Sequence, residues 1–363
     1  MSQKILNIAI LFGGKSAEHE ISLKSAKNVI DALDRTLFNP ILIGISKEGK
    51  WYYDSSNHVM KEDADGTLSI NSDCWHVGLP PASRGQLINF SSNELLPHVD
   101  VVFPVIHGPM AEDGTLQGLL KLADVPFVGA GVLGAAVGMD KEVMKRLLVE
   151  AGLPIGKYLT LRSHQARPTF KAVVDELGLP CFVKPANLGS SVGINRVDNE
   201  SQFETALDEA FSFDNKIIIE EFIEGREIEC AILGNENPKA SIPGEISFSH
   251  NFYSYEAKYE DDKGYKIEIP AQLDDAVLKE VQKIGVQTFE VLECAGFGRV
   301  DVFVTKDNRI LVNEINTIPG FTQVSMYPKL WEKSGLAYSE LITQLIQLAF
   351  DRYNTEKNLK TTK

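Results

Sequence analysis

The chain has 363 residues, 44% of them hydrophobic, and a formal net charge of −14. This length suits two or three domains with buried cores, and the acidic balance argues against wholesale binding to nucleic acid or anionic membranes, although not against a nucleotide. Four scattered cysteines indicate reduced thiols rather than disulfides or a zinc site, and no apolar run approaches the ~18 residues of a membrane span. The apolar opening lacks a cleavage site and predicts a strand, so we expect a cytoplasmic protein.

The first third of the chain predicts strands that alternate with helices. We expect buried strands at residues 5–12, 38–46, 99–106 and 125–128, and helices at about 22–33 and 115–122. This βαβ pattern predicts a mostly parallel, Rossmann-like sheet. Residues 51–93 are polar and turn-rich, and their pattern predicts no particular element.

The remaining two thirds predict two smaller α+β units. Asp140 is expected to cap a helix that ends at Gly152, where the first boundary falls. Short strands then surround a helix at about 201–211, and a long helix at about 274–296 precedes a hairpin and a final amphipathic helix, 338–353. We expect a disordered tail at 354–363. The predicted domains are 1–139, 140–234 and 235–363.

Polar and apolar residues alternate in two consecutive segments, 298–304 and 312–317, with a polar turn between them. In an antiparallel hairpin, this alternation places Asp301, Glu314 and Asn316 on one face, with Arg299 beside them. Such oxygen ligands suit Mg²⁺ bound together with substrate phosphates. The pattern alone also fits an ordinary solvent-facing hairpin.

A small, polar, glycine-bounded loop follows Lys184 and includes Ser190 and Ser191. Glycines allow backbone N–H groups to approach an anion, and serine hydroxyls add donors. No Gly-Lys-Ser/Thr opens a helix here, so the loop is not a Walker A motif. A phosphate loop and a plain surface hairpin both remain open.

A buried strand at 217–219 runs into a group of acidic and apolar residues that could form an adenine slot. Backbone groups near Glu220, Glu221, Phe222 and Ile223 would contact the base. The Glu227 carboxylate would accept a hydrogen bond from a ribose hydroxyl. Solvated carboxylates at a strand end are the alternative.

Two further segments follow strands in the first third of the chain. The Gly13-Gly14 loop lacks the third glycine of a dinucleotide fingerprint, and Glu20 beside it could also act at a helix N-terminus. His107 lies just past the carboxyl end of a strand, where open α/β sheets bind ligands, although a lone histidine is also commonly structural. No serine or cysteine nucleophile pattern is evident.

Seven segments in this order resemble the D-alanine–D-alanine ligases of the ATP-grasp superfamily, over residues 8–348. The motifs are Gly13–Leu23, His107-Gly108 with Glu112–Thr115, Met139–Lys141, Lys184–Gly193, Tyr255–Tyr259, Arg299–Asp301 and Asn313–Thr322. The resemblance implies a Rossmann-like domain followed by a two-lobed ATP-grasp fold. It also implies a reaction in which a D-alanine carboxylate attacks the γ-phosphate of ATP, and the amine of a second D-alanine displaces phosphate from the acyl phosphate.

By resemblance, Asp301, Glu314 and Asn316 hold two Mg²⁺ or Mn²⁺, with K⁺ a further candidate cation. Lys141 and Lys184 contact phosphate oxygens, and the loop with Ser190 and Ser191 lies over them. Asn313 joins Glu314 and the adenine-slot residues in the predicted ATP site. The attack of a carboxylate on a phosphate brings two anions together, so the site must neutralise their negative charge.

The resemblance also assigns the amino-acid substrates. Glu20 and His107 would orient the first D-alanine, Glu20 through the substrate's ammonium group. Arg299 and the Gly320 backbone N–H would stabilise the acyl phosphate and the tetrahedral intermediate. Ser325 and Lys258 would receive the carboxylate of the second D-alanine. Tyr259, on a lid loop, would bridge Glu20 and Ser190 and exclude water.

Tyr259 bears on the second substrate, because relatives that make D-alanyl-D-lactate typically have histidine there. The chain departs from the family at Ala111, where a glycine is more common, which affects the fine geometry of that loop.

The resemblance implies a role in peptidoglycan precursor synthesis, and thus in cell-wall biogenesis and cell shape, and a homodimer formed through the first domain. A ligase with D-lactate or D-serine as second substrate and an inactive nucleotide-binding paralogue are the rivals. The intact set Lys184, Arg299, Asp301, Glu314 and Asn316 argues against an inactive protein.

Overall fold

The computed structural model describes residues 4–248 and 265–360. Lys258 and Tyr259, which the sequence assigns to the second substrate and the lid, lie outside the described residues. Within those residues, the chain forms three main sheets and a separate two-stranded hairpin, with helices packed against the sheets.

The first sheet has the strand order β8-β7-β6-β3-β2-β1-β9. Its strands are β1 Leu6–Gly13, β2 Phe38–Ile45, β3 Trp51–Tyr53, β6 Trp75–Gly78, β7 Gln86–Asn89, β8 Leu95–His98 and β9 Val101–Pro104. Helix α1 (His19–Ala32) connects β1 to β2, and β4 (Met60–Glu62) pairs with β5 (Leu68–Ile70) separately. β1 runs parallel to β2 and β9, as the βαβ pattern predicts.

The expectation of a mostly parallel sheet was wrong, because the other four strands pair antiparallel. Parallel neighbours need crossovers of a dozen or more residues, and the connections between these short strands include tight turns. The strand expected at 125–128 is only a single parallel bridge, between Val102 and Phe127.

Three helices lead from the first sheet to the second: α2 Thr115–Leu122, α3 Val132–Met139 and α4 Lys141–Glu150. The prediction of α2 and of the Asp140 cap is confirmed, since the Asp140 carboxylate accepts from the Val143 N–H at 3.0 Å. The sequence did not indicate α3, which contains Gly134 and Gly138. A Cβ on Gly134 would lie 2.4 Å from the Glu293 carbonyl oxygen, so glycine permits this close approach at the expense of helix propensity.

The second sheet is antiparallel, with the order β10-β13-β11-β12. Its strands are β10 Tyr158–Arg162, β11 Cys181–Pro185, β12 Asn195–Val197 and β13 Lys216–Glu221. Helices α5 (Phe170–Leu177) and α6 (Glu200–Phe213) bury apolar residues such as Val173 and Phe203 against it. The small α+β unit around one predicted helix is therefore present, with α5 in addition.

The third sheet has the order β17-β16-β14-β18-β19, and β15 pairs with β14. Its strands are β14 Gly225–Gly234, β15 Lys239–Ala240, β16 Gly244–Phe248, β17 Tyr265–Glu268, β18 Gly296–Thr305 and β19 Ile310–Asn316. The predicted hairpin is confirmed as β18 and β19. The proposed division at residues 139 and 234 stays a prediction; β14, on the N-terminal side of the second boundary, pairs along its length with β18.

The remaining helices are α7 Asp275–Val291, α8 Met326–Lys333 and α9 Tyr338–Lys357. Helix α7 ends before residue 296, where β18 begins, and α9 continues past Tyr353, so the start of the expected disordered tail is helical. Leu341, Leu345 and Ile346 of α9 are buried. No helix among the described residues is long and apolar enough to cross a membrane.

Candidate active site

The candidate site is a cavity of about 870 Å³, lined by residues on or next to all three main sheets. Most of the residues proposed from the sequence line it, namely His107, Lys141, Lys184, Ser190, Ser191, Glu220, Glu221, Phe222, Ile223, Glu227, Arg299, Asp301, Asn313, Glu314, Asn316, Gly320 and Ser325. The structure therefore brings together residues that lie more than two hundred positions apart in the chain.

One wall of the cavity is the β18–β19 hairpin. Arg299 faces Asn316 across the ladder and Asp301 faces Glu314, so strand alternation places all four on the cavity side. The Arg299 guanidinium donates to both oxygens of Asp301 at 2.7 Å and lies 2.9 Å from Glu229. The Asn316 amide donates to Asp301 at 3.0 Å. Two carboxylates, an amide and a guanidinium are thereby fixed on one rigid surface.

A second part of the cavity wall carries two lysines, Lys145 buried and Lys184 partly buried, on either side of one buried carboxylate. Lys145 of α4 lies 2.6 Å from one oxygen of Glu220, and Lys184 of β11 lies 2.5 Å from the other. Burial alone would raise the pKa of the Glu220 carboxyl, but the two ammonium groups outweigh it and lower this pKa to about 2. Burial likewise opposes the charge of Lys184, yet Glu220 raises the pKa of its ammonium. Glu220 and Lys184 are therefore both charged at neutral pH.

Lys141 connects these two walls. Its ammonium donates to the Leu188 carbonyl at 2.9 Å and lies 3.3 Å from a Glu314 oxygen. Leu188 belongs to the loop after β11, where Ser190 and Ser191 have φ values of 53° and 59°. The cavity thus has a cationic region, formed by Lys141 and Lys184, next to the carboxylates of the hairpin.

The assignment of Glu20 to this site was wrong. Glu20 pairs with Lys47 at 2.6 Å on the surface and does not line the cavity. Glu18 lines the cavity instead, and its carboxylate accepts a short hydrogen bond from the Ser190 hydroxyl. Helix α1 begins at His19, three residues earlier than expected, so Glu18 stays on the loop that faces the site.

His107 is buried beside the cavity. Its Nδ1 lies 3.0 Å from the Ile318 carbonyl oxygen and 3.9 Å from Glu112, and its Nε2 has no hydrogen-bond partner in the described part of the chain. Burial opposes protonation of the ring, but the nearby Glu112 and Glu18 carboxylates outweigh it, so the pKa of His107 is raised. A protonated ring can donate through Nε2 to a substrate carboxylate.

Gly320 and Ser325 lie together at the start of α8. The Ser325 hydroxyl accepts from the Thr322 N–H at 3.1 Å and lies 2.7 Å from the Thr322 hydroxyl. A Cβ on Gly320 would lie 3.0 Å from the same hydroxyl, so a side chain there would crowd Ser325. This segment follows Asn316 directly, which makes it continuous with the hairpin wall.

The structure adds two details to the predicted motifs. The Glu221 carboxylate accepts from the Lys157 N–H at 2.7 Å, so its side chain is engaged with the strand β10 region. At the position where a glycine is usual, Ala111 has an ordinary backbone, and its neighbour Met110 takes the left-handed φ of 72°. Ala111 is 1% exposed, so its methyl group is accommodated within the core.

The sequence reasoning missed Glu18, Lys145 and Glu229. Lys145 lies four residues after Lys141, and this helical spacing places both on one face of α4. The spacing could have identified Lys145 once Lys141 was assigned to the site.

Comparisons with known proteins identify the family. The family model described as D-ala D-ala ligase N-terminus matches residues 7–130, and that described as D-ala D-ala ligase C-terminus matches residues 147–347. A D-alanine–D-alanine ligase of Oceanobacillus iheyensis is 50% identical over 359 residues, 98% of either chain.

Solved structures give the same result. The D-alanine–D-alanine ligase from Coxiella burnetii has a TM-score of 0.84 and 38% identity, covering 97% of this chain and 96% of that one. The VanG D-Ala:D-Ser ligase from Enterococcus faecalis has a TM-score of 0.83 and 35% identity, covering 95% and 100%. The fold and the site thus define an ATP-dependent ligase with the ATP-grasp architecture. More closely, the chain belongs to the D-alanine–D-alanine ligase family.

Proposed function

We propose that the protein joins two D-alanines into D-alanyl-D-alanine for peptidoglycan precursor synthesis in the cytoplasm, converting ATP to ADP and phosphate. The observation that carries this proposal, beyond family membership, is the single cavity in which Arg299, the hairpin carboxylates and two lysines converge. The carboxylate of the first D-alanine attacks the γ-phosphate and ADP leaves. The amine of the second then attacks the acyl carbonyl, phosphate leaves, and the amine loses a proton.

Each step requires charges that the cavity residues supply. Lys141 and Lys184 would neutralise phosphate oxygens, which lowers the repulsion between the two anions. Arg299 would stabilise the negative charge on the tetrahedral intermediate, with the Gly320 N–H as a second donor. Asp301 holds the guanidinium in a bidentate pair, so Arg299 is already oriented for this task.

We place the first D-alanine between Glu18 and His107. Glu18 would accept from its ammonium group, in the role that the sequence gave to Glu20, and protonated His107 would donate to its carboxylate. The second D-alanine would bind with its carboxylate near Ser325, and Lys258 is a further proposed contact of that carboxylate.

Two Mg²⁺ ions bound with the phosphates are part of this proposal, with Mn²⁺ as a substitute. Asp301, Glu314 and the Asn316 amide oxygen form a hard-oxygen set of the kind that Mg²⁺ prefers when phosphates complete its coordination. Within residues 4–248 and 265–360, no group of three or more His, Cys, Asp or Glu side chains is arranged to hold a metal by itself. Each carboxylate oxygen has two lone pairs, so Asp301 can keep its pair with Arg299 while contacting a metal. When bound, the metals would neutralise charge on the transferred phosphoryl group.

A homodimer formed through the first domain also belongs to the proposal. Helices α2 and α3 pack against each other and expose Leu119, Leu122, Val132 and Leu133, by 39–67% of their surface. Neighbouring exposed apolar side chains of this kind are typical of an interface. Light scattering of the purified protein should give twice the chain mass, and Leu133→Lys should shift it toward the monomer.

A ligase that uses D-serine or D-lactate as second substrate is the alternative, favoured by the match to the D-Ala:D-Ser ligase. Phosphate release from ATP should be measured with D-alanine alone and then with D-serine or D-lactate added. We expect full activity with D-alanine alone. Release that depends on the added compound would replace our proposal with the alternative.

A further inference from the structure

Lys145 lines the cavity and has no role in the reaction proposed above. Its side chain is only 3% exposed, and it lies one helical turn after Lys141 on α4. Its ammonium contacts Glu220 at 2.6 Å and lies 5.7 Å from the centre of the Tyr158 ring. Burying a lysine is unfavourable, so a buried ammonium at the wall of a ligand cavity calls for an explanation.

Glu220 divides its two oxygens between two lysines. Lys145 takes Oε1, and Lys184 takes Oε2 at 2.5 Å. A single carboxylate with a single ammonium would already be neutral, whereas this group of three carries one net positive charge. The surplus charge lies beside a cavity proposed to hold a triphosphate.

Glu220 competes with the nucleotide for Lys184. Lys184 has three N–H donors and can contact Glu220 and a phosphate together, but the two anions then share its single positive charge, and a buried carboxylate without a full counterion is disfavoured. With Lys145 in place, Glu220 keeps one ammonium to itself when Lys184 also contacts a phosphate. Without Lys145, every phosphate contact by Lys184 would leave the Glu220 charge stranded, with only a shared counterion.

We propose that Lys145 is a positioning residue for nucleotide binding: by holding Glu220, it releases Lys184 to the phosphate groups. This inference rests on the proposed use of ATP. It predicts that Lys145 affects the binding of phosphates through Lys184 and leaves recognition of the nucleoside unchanged. A residue that merely stabilises the fold would affect both parts of the ligand equally.

The test compares the affinity for Mg²⁺ and the non-hydrolysable ATP analogue AMP-PNP with the affinity for adenosine, by calorimetry and without amino acids. Lys145→Met should weaken AMP-PNP binding about tenfold more than adenosine binding, the loss expected for one charge-assisted hydrogen bond. The matched control is Lys171→Met, which removes an exposed lysine paired with Asp175 at 2.5 Å. This control should bind both ligands as the wild type does.

A second variant makes the mechanism falsifiable. In Lys145→Met/Glu220→Gln the stranded charge is gone, so the ratio of AMP-PNP to adenosine affinity should return toward the wild-type ratio. The inference is overturned if the single variant keeps the wild-type ratio, or if the double variant does not recover it. If the single variant does not fold, the double variant decides alone: a wild-type ratio supports the inference, and a reduced ratio or a failure to fold overturns it.

The outcome is separable from that of the proposed function. A wild-type protein that binds AMP-PNP but forms no dipeptide would refute D-alanine ligation and leave this test in force. Equal losses of both ligands in Lys145→Met would refute the positioning role alone.

Discussion

Glu314→Gln tests the metal-binding wall most sharply, because it removes one negative charge and almost no volume. Glu314 faces Asp301 on the neighbouring strand and lies 3.3 Å from the Lys141 ammonium. At this separation, and with an effective dielectric of about 20 for a partly open site, a pair of unit charges interacts by up to about 5 kcal/mol. Solvent screening and the remaining ligands reduce this value, so we expect turnover to fall about 100-fold, or ~3 kcal/mol in the activation free energy.

The fold should be unaffected by the same change. The Glu314 side chain is 28% exposed, and the hairpin is held by its ladder and by apolar residues such as Val312 and Ile315. We expect the free energy of unfolding to change by less than about 1 kcal/mol. Urea denaturation of both proteins would measure this difference.

Steady-state kinetics with D-alanine and ATP over a range of Mg²⁺ concentrations is the assay. Because the carboxylate would be a metal ligand, high Mg²⁺ should recover part of the lost turnover. Glu280→Gln is the matched control, since Glu280 forms a similar pair with Lys283 at 2.9 Å on the surface, and its turnover should be unchanged. Near-normal turnover of Glu314→Gln at low Mg²⁺ would refute the metal role.

Three further predictions follow from single contacts. Glu18→Gln should lower kcat/KM for D-alanine at least about tenfold, as expected for a lost charge-assisted hydrogen bond, whereas Glu20→Gln should keep nearly the wild-type kcat/KM. A larger loss in Glu20→Gln than in Glu18→Gln would return the substrate contact to Glu20. The pKa of Glu220 is lower in the folded state than its unfolded value of 4.5, so the ionised carboxylate stabilises the folded state above about pH 4.5. This stabilisation is lost as the pH falls toward about 2. The difference in unfolding free energy between the wild type and Glu220→Gln, measured by urea titration, should therefore shrink from pH 6 to pH 2, and a constant difference would contradict the charge pairing. Burial raises the thiol pKa of Cys230 and Cys294 to about 12, so iodoacetamide at pH 8 should alkylate them only after unfolding. Mass spectrometry of peptides would show this, and rapid labelling of the folded protein would disprove their burial.

The hairpin wall was predictable because its evidence is local. Alternation with a period of two fixes which side chains share a face, and a polar turn fixes which strands meet. Arg299, Asp301, Glu314 and Asn316 therefore follow from about twenty consecutive residues. That Lys141 and Lys184 lie in the same site followed only from the resemblance, because no local sequence pattern shows which distant segments come together.

The errors have equally specific causes. Glu18 and Glu20 lie at a junction between a loop and a helix, and the resemblance assigned the role to Glu20. The sequence of this segment does not show which of the two carboxylates faces the site, because that depends on where helix α1 begins. Lys145 looked like an ordinary helical lysine, because its partner Glu220 lies on β13, far away in the chain. The four antiparallel strands of the first sheet are too short for periodicity to give their direction.

The central claim is that this cavity forms D-alanyl-D-alanine through an acyl phosphate. It is tested most directly by mass spectrometry of the products from ATP, Mg²⁺ and D-alanine labelled with ¹⁸O in its carboxylate. Because the carboxylate oxygen that attacks the γ-phosphate leaves with it, we predict the dipeptide together with phosphate that carries one ¹⁸O. Absence of the dipeptide, or a dipeptide accompanied by unlabelled phosphate, would contradict the account.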